Sequence, residues 1–131
     1  MWFLVATALA GTKIQIGEMT SNGLTVHELF CDWSDPGLSA AFAGPSMVGA
    51  IAQKKADFDA CAPQGSAAKL AWSTGATEVT VEKAETPAIG ACIAGVAKPI
   101  VQVTKGSCTM VVLVGEAKRA TQIGDTVDDS P

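Results

Sequence analysis

Polar and apolar residues alternate with a period of two along much of the chain, which predicts strands. In Lys55–Cys61, Ala56, Phe58 and Ala60 oppose Lys55, Asp57 and Asp59. In Thr77–Lys83, Val79 and Val81 oppose Glu78, Thr80 and Glu82. Pro99–Thr104 is a β-branched run, and Ser107–Val114 is almost wholly apolar, as a strand buried on both faces would be. The AIGACIAG segment around Cys92 also reads as an apolar strand. Further strands are expected near 2–9, 12–16 and 24–31, with Ser21-Asn22-Gly23 turning into the last of these. Strict alternation there places Val26, Glu28 and Phe30 on one face and Thr25, His27 and Leu29 on the other.

Turn chemistry separates these runs at short intervals: Pro63-Gln64-Gly65, Ser73-Thr74-Gly75, Thr86-Pro87, Lys98-Pro99 and Lys105-Gly106-Ser107. Short strands so punctuated predict a mainly β fold, a single-domain antiparallel sandwich or barrel over 1–131. The stretch 32–53 is less regular. Trp33–Gly37 is a turn cluster, Leu38–Ala43 allows one or two helical turns closed by Pro45, and Met47–Gln53 is either a strand or a short helix. This region is expected to project as an irregular loop or short helix, with extended termini at 1–10 (an arm or a strand) and 115–131.

Composition narrows the function. Apolar residues make up 48% of the chain but aromatics only 5%, and Tyr is absent. Small apolar residues each bury little surface, so a single copy has a modest core and gains by associating. A net charge of −4 with scattered Lys and Arg lacks the footprint of a nucleic-acid binder. The opening MWFLVATALA has no basic residue before Lys13, unlike a secretory signal, and is too short for a bilayer helix, so no membrane span is expected. Cys31, Cys61, Cys92 and Cys108 form no C-x-x-C pair, which argues against zinc. They are either small buried hydrophobes or two disulfides of an oxidising compartment.

Candidate chemistry is sparse. His27 is the lone histidine, and pairing it with a cysteine as a nucleophilic dyad has no support from its neighbours. Asp57 and Asp59 would stand about 7 Å apart on one strand face, a spacing compatible with a carboxylate pair or an oxygen-ligand cation site, but also with a charged solvent face. No phosphate-loop, dinucleotide, nucleophile-elbow or EF-hand pattern occurs. No catalytic, cofactor-binding or metal residue is therefore assigned, and a non-enzymatic role is expected.

From Gly65 to Val114 the chain resembles the C-terminal half of the head-decoration (cement) proteins of tailed bacteriophages. Leu70-Ala71-Trp72 matches the strand before a small turn at Ser73-Thr74-Gly75, Val79–Lys83 the returning strand, Ile89-Gly90-Ala91 an "-IG-A-" strand, and Met110–Leu113 the closing strand. The resemblance implies an oligomeric, often trimeric, β protein on the virion exterior. Its partners would be the major capsid protein and further copies of itself, with no nucleic acid and no membrane. On that reading Trp2, Phe3 and Leu4, with Trp33 and Phe42 from the irregular stretch, are the contact residues. The alternative is a secreted β-sandwich binding module for carbohydrate or cell surface, disulfide-linked, with Trp33 or Trp72 as a stacking platform.

Overall fold

The computed structural model describes residues 12–35 and 38–128. Expectations that fall on Trp2, Phe3, Leu4 and the rest of 1–10 lie outside these residues. Among the described residues, five strands form one antiparallel sheet: β1 (Thr12–Ser21), β2 (Leu24–Trp33), β3 (Ser66–Ser73), β4 (Thr80–Ala84) and β5 (Gly106–Val114), in spatial order β1-β2-β5-β3-β4. Four described α-helices and a 3₁₀ turn accompany them: α1 (Leu38–Ala52), α2 (Lys55–Cys61), α3 (Pro87–Ala97), the 3₁₀ turn Lys98–Val103, and α4 (Ala117–Asp128). The sheet does not close on itself. The expected sandwich or barrel is therefore corrected to a mixed α/β fold in which helices replace the second sheet.

Several runs read as strands are helical, for local reasons. Lys55–Cys61 is α2: a Lys55–Asp59 ion pair spans one helical turn, and Phe58 is its buried anchor. AIGACIAG lies in α3, whose start is set by Thr86, accepting Ile89 N–H at 3.2 Å, and by Pro87 in the first turn. Pro99–Val103 is the 3₁₀ turn, closed when Thr104 Oγ1 donates to Ile100 O at 2.7 Å. The irregular 32–53 stretch is largely α1, which continues through Pro45 instead of ending there. Ala40, Ala43, Met47, Val48 and Ile51 recur at helical spacing and are all buried. The expected C-terminal arm is helix α4 through Asp128.

The helices divide unequally over the two faces. The inner face, covered by α1, α2 and α3, holds the main core, including Val26, Leu29, Met47, Ile51, Phe58, Leu70, Ile93, Ile100, Met110 and Val112. Among the described residues, the outer face is covered by α4, over Ala67, Val111 and Leu113. Gly115 lets the chain turn from β5 into α4. At φ 73°, a Cβ there would collide with Ala62 O, while its N–H donates to Asp59 Oδ1 at 2.9 Å.

All four cysteines are paired, so the buried-thiol alternative falls away. Cys31–Cys108 joins directly opposed residues of β2 and β5 inside the core, with Cα atoms 4.1 Å apart. Cys61–Cys92 joins α2 to α3 near the surface. Closing loops of 77 and 31 residues, each contributes about 4 kcal/mol in the chain-entropy view.

Candidate docking edge

β1 and β2 form a hairpin turned by Asn22 (φ 50°) and Gly23 (φ 82°), the left-handed pair a two-residue turn requires. Midway along, Glu28 also adopts a positive φ of 52°, opposite Gly17. There the pleat resets in both strands at once, while the β1–β2 register continues unbroken from Thr12↔Trp33 to Ser21↔Leu24. Against β5 the same residues form a bulge between His27 and Phe30. The strict alternation expected for β2 is corrected accordingly. Val26, Leu29, Cys31 and Trp33 point inward and are buried, while Thr25, His27, Phe30 and Asp32 face outward.

On the outer face the reset lines up complementary groups across the hairpin. Lys13 pairs with Asp32 and lies over the Phe30 ring, its Nζ 5.8 Å from the centroid. His27 Nε2 lies 2.8 Å from Glu18 Oε1, and the Thr20 and Thr25 hydroxyls are hydrogen-bonded at 2.8 Å. Phe30, 38% exposed, stands on the part of the outer face that no described helix covers. A shallow depression of about 420 Å³ there is floored by Ala71, Ser73, Ser107 and Thr109.

On the inner side, β1 meets α1. This fifteen-residue helix, LSAAFAGPSMVGAIA, carries no charged residue, yet Ala41, Phe42, Pro45 and Ser46 are exposed. Phe42 is 66% exposed, the largest value among the described large hydrophobic side chains. A helix apolar on every side is ordinarily buried on every side. Pro45, inside this helix, has no N–H to offer the Ala41 carbonyl. α1 and β1 touch closely at Gly44, where a Cβ would collide with the Ile16 side chain. Just beside this contact runs a groove of about 340 Å³, lined by Thr12, Lys13, Ile14, Ile16, Ala41 and Pro45 among others.

Of the expected contact residues, the structure places Phe42 on this exposed face and Trp33 in the interior. Trp33 is 4% exposed, in the core, where its indole N–H reaches Ser39 Oγ at 3.3 Å. Trp72, the other candidate platform, is likewise buried and donates to Thr104 Oγ1 at 2.7 Å. Each ring withdraws because its one polar atom has an internal partner. The place of β1 at the edge of the sheet, among the described residues, was missed in the sequence, since neighbours across a sheet are not written in one strand.

The other candidates resolve simply. Asp59 is held by Lys55 and the Gly115 amide, so Asp57 and Asp59 do not act as a pair. With every cysteine in a disulfide, no thiol is free to meet His27. No group of three or more His, Cys, Asp or Glu suited to a metal occurs among the described residues, and none of their helices is long and apolar enough to cross a membrane. One polar clamp stands out. The Glu85 carboxyl is held below its ordinary value by a hydrogen bond from the buried Ser66 hydroxyl (2.8 Å) and then by Arg119 (2.7 Å). It ties the end of β4 to the start of α4. Compared with known protein families, characterised proteins and solved structures, the chain matches none.

Proposed function

We propose that this chain is a non-enzymatic assembly module that joins a larger protein structure through the β1 edge and the uncharged face of α1. The observation that carries this reading is their coincidence. A ten-residue edge strand, unpaired on its outer side among the described residues, adjoins an exposed helix face bearing Phe42. Main-chain groups supply affinity when a strand is added to such an edge, and the neighbouring apolar groove supplies specificity. In the setting implied by the head-decoration resemblance, the module would sit on the outside of a phage capsid and bridge its subunits. Disulfides persist in oxidising surroundings such as a virion surface, which agrees with that setting.

The two disulfides and the Phe30 depression favour a second reading, a secreted carbohydrate-binding domain. An aromatic ring beside Ser107, Thr109 and Ser73 can seat a sugar ring.

Light scattering on the purified chain, with and without reductant, tests the first reading. A discrete oligomer whose mass is unchanged by reductant is the expected result. A monomer that binds oligosaccharide in calorimetry, and loses that binding in Phe30→Ala, would replace it with the second.

A further inference from the structure

The two disulfides differ in how closely solvent approaches them. Cys31 and Cys108 are buried in the β2–β5 ladder, and Met47 Sδ lies 3.9 Å from Cys108 Sγ. Cys92 is exposed and Cys61 half-buried. Exchange requires a thiolate to reach a sulfur of the bond, so an exposed disulfide reacts while a buried one waits for the fold to open. We infer that Cys61–Cys92 is a redox latch on α3: an external dithiol opens it selectively, and its opening frees α3 from the β4 edge while the rest of the chain stays folded. The latch does not depend on the assembly reading above.

The two helices that this bond joins are anchored unequally. In α2, Phe58 is fully buried and Asp59 Oδ1 accepts the Gly115 N–H at 2.9 Å. The helix α3, PAIGACIAGVA, has no charged side chain with which to form an ion pair. It buries Gly90, Ile93, Ala94 and Ala97, of which Ile93 alone is large, with Ile89 and Val96 half-buried. Small side chains remove little apolar area from water, so the tie to α2 carries a large share of what holds α3 in place. Once that tie is cut, openings that lift Gly90 from Val81 and Ala84 cost less, and β4 is uncovered with them. Both ends of the helix stay fastened, one by the Glu85 clamp and the other by buried Ile100 of the 3₁₀ turn. The released helix therefore behaves as a strap that lifts and does not leave.

The opening step balances with the dithiol as the only co-reactant. Its thiolate attacks Cys92 Sγ, a mixed disulfide forms there, and the electron pair of the broken bond leaves on Cys61 Sγ, which takes up a proton. The second thiol of the reductant then attacks the reductant sulfur of that mixed disulfide, and Cys92 departs and is protonated. The protein gains two electrons and two protons, and the dithiol becomes a cyclic disulfide. The Cys61 thiol so formed has an acceptor in reach, since its Sγ lies 3.5 Å from the Asp57 carbonyl oxygen one turn back in α2.

Graded dithiothreitol under native conditions, quenched by alkylation and read by peptide mass spectrometry, tests the latch. Cys61 and Cys92 are expected to be labelled on the order of tenfold or more faster than Cys31 and Cys108. In the partly reduced protein, hydrogen exchange should rise on the order of tenfold in α3 and β4 and stay unchanged in α2 and β5. The double variant Cys61→Ser with Cys92→Ser should fold, keep Cys31–Cys108 and show the same exchange pattern without reductant. Labelling of all four cysteines together, or of Cys31 and Cys108 first, would overturn the selectivity. Selective reduction with no change of exchange in α3 and β4 would leave a labile bond that latches nothing, and the inference would fall. Selective reduction that unfolds the whole chain would overturn it equally, because the bond would then hold the fold and not α3.

Discussion

The two edges of this sheet are built on opposite plans. β4 is five residues long, bulged between its pairings with Lys69 and Leu70, and roofed by α3, where Gly90 sits so close that a Cβ would come within 2.8 Å of Ala84 Cβ. Its end is pinned by the Glu85 clamp. Short, bulged and covered strands are poor templates for further pairing. β1 is twice as long, keeps its register over its whole length, and has Ile16 and Met19 only half-buried on its inner side. Its two charges, Lys13 and Glu18, lie on the outer face. Among the described residues, one edge is finished and the other is open. In a domain of this size an unprotected ten-residue edge is a hazard unless something occupies it.

Breaking that contrast begins with the joint that holds the open edge in place. The β1–β2 hairpin is attached to the rest of the sheet through the β2–β5 ladder and Cys31–Cys108. The double replacement Cys31→Ala with Cys108→Ala is expected to cost about 4 kcal/mol, read as a lowered urea midpoint. At the finished edge, Gly90→Val should cost about 1–3 kcal/mol, because α3 must lift from Val81 and Ala84. Hydrogen exchange should then rise in β4 and not in β1.

Smaller effects sharpen the comparison. The lowered Glu85 pKa means that the folded state binds this proton less readily than the unfolded state. The contribution of the clamp is therefore complete above the ordinary value of 4.5 and is lost as pH falls through the lower folded value. Glu85→Gln should flatten the acid limb of the stability curve modestly, and Arg119→Met should act in the same direction. Phe42→Lys is expected to change monomer stability by no more than about 0.5 kcal/mol, since the side chain is mostly exposed, while reducing association. An equal loss of both would mean that Phe42 serves the fold and not a partner.

The hairpin was legible because Asn22-Gly23 between alternating runs dictates its turn, and β5 because an apolar β-branched run suits a central strand. α1 and α3 were not legible. Their runs of Ala, Gly and Ile offer no polar stripe to mark one side of a helix, and Pro45 looked like an end. In α3 the Thr86-Pro87 start was present and was read only as a turn. At the docking edge, Phe42 could be picked out as a large apolar group in an uncharged stretch. The inward turn of Trp33 could not, because Ser39, its hydrogen-bond partner, reaches it only through the path of α1. Phe30 was assigned to the wrong side for a similar reason, since nothing in its own sequence announces the positive φ at Glu28.

The Cys31–Cys108 bond also changes what cutting the chain can do. It encloses α1, α2, β3, β4, α3 and the 3₁₀ turn, so one protease cut anywhere between residues 31 and 108 opens a ring without releasing a fragment. Nicked protein should run as one species on a non-reducing gel and separate into pieces only once the bond is reduced. A module of this kind can be clipped in its connecting segments and still hold together whatever it is joined to.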